Sequence, residues 1–367
     1  MLLKQISITN FKNIASASLH FSPNINCIVG NNGEGKTNLL DAVYYLSMTK
    51  SYFGGSDLFN IRHGEPYFLL QGLFAHSDEE QQISCGVKRD EGKAFKRNGK
   101  IYSRLSDHVG LFPLVMISPT DNALINESGE ERRKYLNGVL AQSEKEYLNV
   151  LLRYNHILLQ RNKLLKTPFD SNAADLLATI DGQLVDAGKQ IYNFRKQLII
   201  ELQPYFSQAY NTLSEHKEEV SLGYRSELDK EDFAVLLEQS RDRDRAMQHT
   251  TTGIHRDDLA MQIDGYPLRR TGSQGQQKTF LLALKLAQFE LLRRQKGFCP
   301  LLLLDDIFDK LDAGRVHQLL SMVAQDAFGQ IFLTDSNKVR VDGMMQQLTR
   351  DYAIFTAEGG SFFHFLL

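Results

Sequence analysis

The stretch from Gly30 to Asn38 has the residue types and spacing that hold the phosphates of a nucleotide. It reads Gly-x-x-x-x-Gly-Lys-Thr, follows the apolar run Ile25–Val29 and opens an amphipathic helical pattern. Its glycines let backbone N–H groups face a β-phosphate at the positive end of the new helix. We expect Lys36 to bridge the β- and γ-phosphates and the Thr37 hydroxyl to ligate Mg²⁺. The predicted nucleotide-binding residues of this loop are Gly30, Asn31, Asn32, Gly33, Glu34, Gly35, Lys36, Thr37 and Asn38.

Two aspartates supply the second half of the predicted site. Asp305 and Asp306 follow the apolar run Leu301–Leu304, which is typical of a central strand covered on both faces. Ligands of open α/β sheets bind at this end of the strands. We expect Asp305 to hold Mg²⁺ through water and Asp306 to orient or deprotonate the attacking water. The predicted catalytic residues are therefore Lys36 and Asp306. The other interpretation, a solvated loop start, is weakened by the phosphate loop upstream.

The sequence favours ATP over GTP as the nucleotide. A guanine-specific GTPase is expected to carry Asn-Lys-x-Asp, but the nearest string, residues 336–340, has Arg340 in place of the aspartate. A small-molecule kinase stays open as an alternative. Such a kinase usually places lid arginines after a compact core, whereas here a long helical insertion separates the two halves of the site.

Residues 273–279, Ser-Gln-Gly-Gln-Gln-Lys-Thr, admit two interpretations. Ser273 can cap the helix that follows, with Gln276 reaching back to it. Alternatively, a Ser-x-Gly-Gln element upstream of the aspartate strand is the signature of ABC-type ATPases, whose helix N-terminus faces a phosphate held by a second subunit. The phosphate loop and the aspartate strand favour the second interpretation. We therefore expect Ser273, Gly275 and Gln276 to bind nucleotide across an ATP-dependent homodimer.

Composition and charge restrict the class of protein. The chain has 367 residues, 42% of them hydrophobic and 23% charged, as in an ordinary globular protein. No apolar stretch approaches a membrane span and the N-terminus lacks a signal-peptide core, so we expect a cytoplasmic protein without membrane partners. Three widely spaced cysteines form neither a disulfide framework nor a metal-binding pattern. Because the net charge is only −2, a polyanion must be held by local basic patches.

Helical periodicity in the middle of the chain predicts an inserted lobe. Apolar residues from Leu177 to Leu198 alternate steps of three and four, and a similar stripe runs from Tyr147 to Leu165. We expect residues 1–125 and 251–367 to form one ATPase lobe and residues 126–250 a helical lobe. The simplest arrangement is an antiparallel hairpin with a turn around Pro168 and a second arm of about 29 residues. A packed helical subdomain without a projection is equally compatible with the pattern.

A basic stretch between residues 87 and 104 is the predicted DNA-binding surface. Asn98–Gly99 is a strong two-residue hairpin turn, so several cations can share one sheet face. We expect contacts to the phosphates of duplex DNA without base readout; a solvated hairpin is the equally simple alternative. The primary candidates are Lys88, Arg89, Lys96, Arg97 and Lys100, and the secondary candidates are Arg132, Arg133, Arg153 and Arg161.

Together the motifs resemble those of the RecF family, bacterial recombination and repair ATPases of the SMC/Rad50-like ABC group. The resemblance runs nearly end to end and rests on ITNFKN, GNNGEGKTNLLDAVYYLS, ISPTDNALI, RRKYLN, GIHRDD, SQGQQKTFLLALKLAQ and LLLLDDIFDKLD. It implies an α/β fold, an ABC-type P-loop ATPase head with a mixed sheet, plus a helical second lobe with a short antiparallel helical hairpin. It further implies a dimer-interface loop at Asp309–Asp312 and a role in DNA repair, recombination, replication and the SOS response.

Several positions depart from the family pattern. Phe53 stands where an arginine is usual, and Ile254 stands where a proline usually precedes His255. The residues Thr334–Asp335 end a predicted strand where many ABC ATPases have a histidine, and MISPTD lacks the glutamine of a typical Q-loop. The sequence therefore assigns neither the γ-phosphate sensor nor a mechanism for His255 and the arginine after it.

The functional hypothesis combines these assignments with the resemblance. ATP closes two chains face to face, duplex DNA is clamped at gaps or single/double-strand junctions, and slow hydrolysis releases it. Asp306 is one methylene shorter than the glutamate common at its position, which favours slow turnover. We expect a weak DNA-stimulated ATPase that acts as a molecular switch. The resemblance implies recombinase loading with RecR and RecO, on the nucleoid in the cytoplasm. The alternatives are an ATP-gated protein-interaction module with weak DNA contact and, less well supported, the small-molecule kinase.

Overall fold

Strands occupy both ends of the chain and long helices its middle. The computed structural model describes residues 1–77, 79–167, 171–215, 217–308, 318, 328–345 and 351–365. The strands are β1 (Leu2–Phe11), β2 (Ile14–His20), β3 (Ile25–Val29), β4 (Tyr67–His76), β5 (Glu79–Lys88), β6 (Gly92–Arg97), β7 (Lys100–Ile101), β8 (Leu114–Ile117), β9 (Val220–Arg225), β10 (Asp258–Ile263), β11 (Tyr266–Pro267), β12 (Leu301–Leu304), β13 (Ile331–Asp335), β14 (Tyr352–Glu358) and β15 (Ser361–Phe365). The α-helices are α1 (Lys36–Met48), α2 (Ala123–Asn126), α3 (Gly129–Ser143), α4 (Lys145–Leu164), α5 (Ser171–Ser214), α6 (Phe233–Met247), α7 (Leu268–Thr271), α8 (Gln274–Lys296) and α9 (Lys338–Met345). Within these ranges, no helix has both the length and the apolar character needed to cross a membrane.

A mostly parallel sheet carries the residues predicted to do chemistry. Its strand order is β15-β14-β3-β13-β12-β8, and every pair is parallel except β14–β15. Strands β3, β8, β12 and β13 are buried along their whole length, which explains the continuous apolar runs of β8 and β12 and the mainly apolar sequences of β3 and β13. Because parallel strands end at one edge of a sheet, this order gathers the residues that follow Val29, Leu304 and Leu333.

A second, antiparallel sheet packs on the other side of α1. Its order is β2-β1-β4-β5-β6-β7, and β4 and β5 show the alternating burial of strands with one covered face. Helix α1 contacts β1, β4 and β5 of this sheet and β8 and β13 of the parallel sheet. Leu39, Val43 and Leu46 of the helix belong to one apolar core shared by both sheets. The helix that begins at the phosphate loop is therefore fixed from two sides.

The chain forms two compact units. The first comprises Met1–Asp121, Thr212–Glu215 and Lys278–Leu367, and the second comprises Asn122–Asn211 and His216–Gln277. The sequence placed the end of the helical insertion at residue 250, whereas the second unit continues to Gln277. The difference arises from the small sheet β11-β10-β9, in which β10 pairs with β9 along its length and contacts α3 of the same unit.

Helices α4 and α5 form the antiparallel hairpin that the sequence predicts. Tyr147 near the start of α4 accepts a hydrogen bond from Arg195, whereas Arg161 near the end of α4 bonds to Asp181. Helix α5 has 44 residues and is longer than the expected arm of about 29. The predicted turn around Pro168 falls on residues 168–170, outside the described part of the chain.

Arg161 lies in a buried ion-pair cluster. Its Nε is 2.6 Å from the Asp181 carboxylate and its Nη1 is 2.6 Å from the Asp244 carboxylate, and Nη1 also donates to the Thr250 hydroxyl. The side chain is fully buried, as a guanidinium is when carboxylates of the fold compensate its charge. The expectation that Arg161 is a secondary DNA contact is therefore wrong, because the group has no solvent-facing surface.

Removing a carboxylate from this cluster is expected to destabilise the protein strongly. Asp244→Ala leaves the Arg161 cation without its fully buried partner, and loss of one member of a buried pair costs about 3–5 kcal/mol. The matched control is Glu130→Ala, which breaks an exposed pair with Lys134 and should cost at most about 1 kcal/mol. Urea unfolding followed by circular dichroism measures both changes. Equal losses in the two variants would contradict the role assigned to the cluster.

Burial of His108 is expected to make stability depend on pH. The imidazole lies against the Leu46 carbonyl and the Tyr102 hydroxyl, and desolvation lowers its pKa to about 4. The unfolded chain binds this proton with a pKa of about 6.5, so the unfolded state gains protons first as the pH falls. The free energy of unfolding should therefore decrease by up to about 1.4 kcal/mol per pH unit between about pH 6.5 and 4. Urea unfolding at several pH values should show this slope reduced in His108→Asn, and an unchanged slope would refute the assignment.

Candidate functional site

The predicted phosphate loop joins β3 to α1 and has the backbone conformation that its glycines permit. Gly30, Gly33 and Gly35 have φ angles of 157°, 89° and 104°, which side-chain-bearing residues rarely adopt. At Gly30 a Cβ atom would lie 2.5 Å from the Ala357 carbonyl oxygen. Only glycine fits there, because any side chain would collide with the backbone of β14. The loop ends at the N-terminus of α1, where N–H groups are free for an anion.

Residues from two distant turns hold this loop, and sequence reasoning missed them. The Asn13 side chain, after β1, donates to the Gly33 carbonyl at 3.0 Å and accepts from Asn38 at 2.7 Å. The turn between β14 and β15 adds a bond from the Gly360 N–H to the Glu34 carbonyl at 3.0 Å. The Glu34 carboxylate also accepts a hydrogen bond from the N–H of Gly359 in the same turn. A polar residue after a strand and a Gly-Gly pair were the available signals, and both are too common to be specific.

The structure brings the phosphate loop and the first aspartate into direct contact. The Thr37 hydroxyl donates to Asp305 Oδ1 at 2.8 Å. The Lys36 ammonium is almost fully buried and donates to the carbonyls of Gly30 and Asn31 at 2.7 and 3.0 Å. A hydroxyl, a carboxylate and a lysine ammonium thus converge at the carboxyl edge of the parallel sheet. Among the described residues, no cluster of three or more His, Cys, Asp or Glu side chains offers another metal site.

Asp305 is buried, and three hydroxyl groups compensate its charge. Besides Thr37, Thr334 donates to Oδ1 at 2.9 Å and Ser118 donates to Oδ2 at 3.3 Å. Burial raises the pKa of the Asp305 carboxyl, while these hydrogen bonds and the positive charge of Lys36 act in the opposite direction. Ser118 was not predicted as part of the site, and Thr334 was named only as a position where the γ-phosphate sensor was left unassigned.

Asp306 has a backbone conformation unusual for a residue with a side chain. Its φ angle is 42°, in the left-handed region that costs an L-residue of this kind energy. Its N–H donates to the Thr334 hydroxyl at 2.9 Å, so the strained turn is tied to the neighbouring strand. Eight other side-chain-bearing residues of the described chain also have positive φ angles, so this conformation shows a fixed turn at Asp306 and does not by itself identify a catalytic residue.

The positions that depart from the family pattern have partners of their own. The Lys12 ammonium is 4.9 Å from the Phe53 ring centroid and 2.6 Å from the buried Asp41 carboxylate. Arg340 donates hydrogen bonds to both carboxylate oxygens of Asp335 at 2.7 and 2.9 Å. Asp335 stands where many ABC ATPases have a histidine, so the carboxylate at this position is already paired. The predicted interface loop at 309–312 lies outside the described residues.

The segment without a Q-loop glutamine contains a buried ion pair. Asp121, just after β8, lies 2.8 Å from the Lys285 ammonium of α8. Lys285 also donates to the Tyr52 hydroxyl at 3.0 Å, and that hydroxyl donates to Asp121. The Asp121 carboxylate in addition accepts from the Ser118 N–H at 2.8 Å. A charged cluster therefore stands beside Asp305 where a neutral amide is usual.

The Ser-Gln-Gly-Gln segment forms a reciprocal capping box at the start of α8. The Gln276 N–H donates to Ser273 Oγ at 3.2 Å, and the Ser273 N–H donates to Gln276 Oε1 at 2.7 Å. The Gln276 amide further donates to the Glu218 carboxylate at 3.0 Å. Capping and phosphate binding are compatible, because an oxygen that accepts from an N–H still carries its own hydrogen to donate. Both interpretations of this segment stay consistent with the geometry.

His255 is part of the structure of the second unit. Tyr154 donates to its Nδ1 at 2.8 Å, and its Nε2 donates to the Thr250 carbonyl at 3.1 Å. Desolvation lowers its pKa to about 4, with the charges of Arg256 and Arg133 adding to the effect. The imidazole is therefore neutral near pH 7 and fully used in hydrogen bonds, while Arg256 is exposed.

The predicted basic hairpin is confirmed, but its cations are divided between two faces. Asn98 and Gly99 have φ angles of 51° and 79° between β6 and β7, as a type I′ turn requires. Lys96 pairs with Ile101 on the face opposite the buried Phe95, and Lys88 of β5 lies on that same solvent face. Arg97 and Lys100 pair with each other on the other face. Lys88 is also bonded to Glu91 at 2.9 and 3.0 Å, and Arg89 Nε to the Glu65 carbonyl.

Comparison with known proteins agrees with the motifs over almost the whole chain. The family model described as RecF/RecN/SMC N terminal domain matches residues 2–361. A relative from Phocaeicola vulgatus named DNA replication and repair protein RecF is 47% identical over 98% of this chain and 97% of its own length. A relative of the same name from Porphyromonas gingivalis is 42% identical over 99% of this chain and 100% of its own length.

Solved structures show the same relationship at the level of the fold. The recombination mediator protein RecF-ATPrS in the RecFOR pathway superimposes with a TM-score of 0.88 at 30% identity, covering 100% of this chain and 98% of that chain. An SMC head bound to the C-winged helix domain of ScpA shares only the fold, at 16% identity with a TM-score of 0.61 and coverage of 100% and 98%. The α/β fold with an ABC-type ATPase head and a helical lobe is thus confirmed, and this chain belongs to the RecF family.

Proposed function

We propose that this protein binds ATP with Mg²⁺ and hydrolyses it slowly at the edge of the parallel sheet. The observation that carries the proposal is the 2.8 Å hydrogen bond between Thr37 and Asp305, because it joins the phosphate loop to the acid strand. Hydroxyl and carboxylate oxygens are the ligands that Mg²⁺ prefers, so this pair fits the ion. Bound there, Mg²⁺ would neutralise charge on the phosphate oxygens.

In this proposal each remaining side chain has one task. Lys36 releases the loop carbonyls and binds the β- and γ-phosphates, and the loop residues Gly30, Asn31, Asn32, Gly33, Glu34, Gly35 and Asn38 surround them. Asp305 holds Mg²⁺ through water. Asp306, adjacent to it in the chain, orients or deprotonates the attacking water.

We further propose that nucleotide closes two chains into a sandwich. Ser273, Gly275 and Gln276 of one chain face the phosphate held by Lys36 of the other, with the Ser273 hydroxyl donating to it. Helix α8 is 23 residues long, and the positive end of its dipole, at its N-terminus, attracts the same phosphate. The capping box supports this assignment because it fixes the direction of the serine before the partner arrives.

The closed dimer is proposed to clamp duplex DNA at gaps, acting with RecR and RecO in recombinase loading. The names of the relatives, DNA replication and repair protein and recombination mediator in the RecFOR pathway, support this role. The candidate contacts are Lys88, Arg89, Lys96, Arg97 and Lys100. Their division between two faces favours a small number of backbone contacts. It also keeps open an ATP-gated protein-interaction module that touches DNA weakly.

The sandwich predicts that dimerisation depends on nucleotide and on Ser273. In sedimentation with Mg²⁺ and a non-hydrolysable ATP analogue, wild type should dimerise, whereas Lys36→Met and Ser273→Arg should stay monomeric. Ser273→Asp is the matched variant, since aspartate caps a helix as well as serine does but repels a phosphate. It should keep the melting temperature of wild type and lose the dimer. If Ser273→Asp dimerised as well as wild type, residues 273–279 would act only as a helix cap.

The clamp predicts that the hairpin contributes to the salt dependence of DNA binding. Each phosphate contact contributes about 0.9 to the slope of log affinity against log salt. Charge reversal of Lys96 and Arg97 to glutamate should therefore weaken binding of gapped duplex and reduce the slope by about two in fluorescence anisotropy titrations with the ATP analogue. Lys145→Glu, on the exposed start of α4, is the control and should have no effect. An unchanged affinity in the double variant would favour the protein-interaction module.

A further inference from the structure

A buried threonine connects the two predicted acids. Thr334 lies in β13, which runs between β3 and β12 in the parallel sheet. Its side chain is fully buried. Its position in the central strand places its hydroxyl beside the ends of β3, which leads through the phosphate loop to Thr37, and of β12, which Asp305 follows.

The Thr334 hydroxyl makes two hydrogen bonds of opposite direction. It donates to Asp305 Oδ1 at 2.9 Å and accepts from the Asp306 N–H at 2.9 Å. A hydroxyl has one hydrogen and two lone pairs, so both bonds form at once. No neutral aliphatic side chain of the same size can replace either bond.

Each bond restrains a different feature of the site. The bond to Oδ1 fixes the rotation of the Asp305 carboxylate, because Thr37 contacts the same oxygen while Ser118 contacts the other. The bond from the Asp306 N–H holds a residue whose φ angle is 42°, a conformation that persists only where the surroundings determine it. The direction of the Asp306 side chain follows from that backbone conformation.

We propose that Thr334 is a positioning residue that sets the geometry of Asp305 and Asp306 together for ATP hydrolysis. It acts through the two acids and touches neither substrate nor metal. The inference rests on the proposed ATPase function. It extends that function by assigning to β13 the positioning of Asp305 and Asp306. This role differs from that of the sensor histidine that many ABC ATPases have after the corresponding strand.

The test compares Thr334→Val, which keeps the shape and removes the hydroxyl, with Thr334→Ser, which keeps the hydroxyl. Loss of a group that orients a metal-site ligand typically costs about 10- to 100-fold, so kcat for ATP should fall by that factor in Thr334→Val. The KM for ATP should change less than about twofold, because the phosphate loop is intact. Thr334→Ser should retain kcat within about threefold, since it can make both bonds.

A second measurement does not depend on turnover. The Mg²⁺ concentration that gives half-maximal dimerisation with the ATP analogue should rise in Thr334→Val and not in Thr334→Ser. Thr252→Val is the control for loss of a buried hydroxyl elsewhere, since Thr252 is 2% exposed and bonds to Glu227 in the second unit. It should lower the melting temperature and leave kcat unchanged.

The outcomes separate this inference from the function on which it rests. Thr334→Val equal to wild type in either kcat or Mg²⁺ requirement would overturn the positioning role. Equal losses in Thr334→Val and Thr334→Ser would also overturn it, since they would indicate packing alone. A wild-type protein that neither dimerises with the analogue nor hydrolyses ATP would overturn the proposed function and this inference with it.

Discussion

The hydrogen bond between Thr37 and Asp305 joins residues that lie 268 positions apart in the chain. It depends on the strand order of the parallel sheet, in which one central strand separates the strand of the phosphate loop from the strand of the acids. Helix α1 can bring Thr37 to this point only because apolar residues from both sheets fix it. A change in the register of β3 or β12 by one residue would turn the side chains of that strand to the opposite face and displace the functional residues that follow it. The burial of the core strands therefore determines the chemistry at their ends.

The site combines favourable burial with features that cost free energy. Asp305 is a carboxylate in a nearly dry position, and Asp306 has a strained backbone. Hydroxyl groups of three separate segments offset the loss of water around Asp305. The second unit follows the same rule, because Arg161 and Arg195 are buried only together with carboxylates or carbonyls. In both units buried charge is tolerated where polar partners are supplied by elements distant in sequence.

Local signals in the sequence were sufficient for the elements and the principal motifs. The glycine spacing from Gly30 to Gly35, the apolar runs of β3 and β12 and the Asn98–Gly99 turn are short-range patterns with direct physical causes. The roles of Asn13, Ser118 and Thr334 were not predictable, because each depends on a strand or turn brought close by the fold. The extent of the second unit was missed for the same reason. A β-pairing between β9 and β10 has no signature in either strand alone.

The neighbours of β3 in the sheet are both synthesised last. Strands β13 and β14 follow the helical insertion, and the Gly-Gly turn that supports Glu34 lies 325 residues after it. At about 5–20 residues per second, a ribosome needs roughly 15 to 65 seconds to cover that distance. For most of this interval a nascent chain carries β3, which is buried along its whole length in the fold, with neither of its partners. The contacts that β13, β14 and the Gly-Gly turn make to β3 and the nucleotide loop can therefore form only near the end of translation.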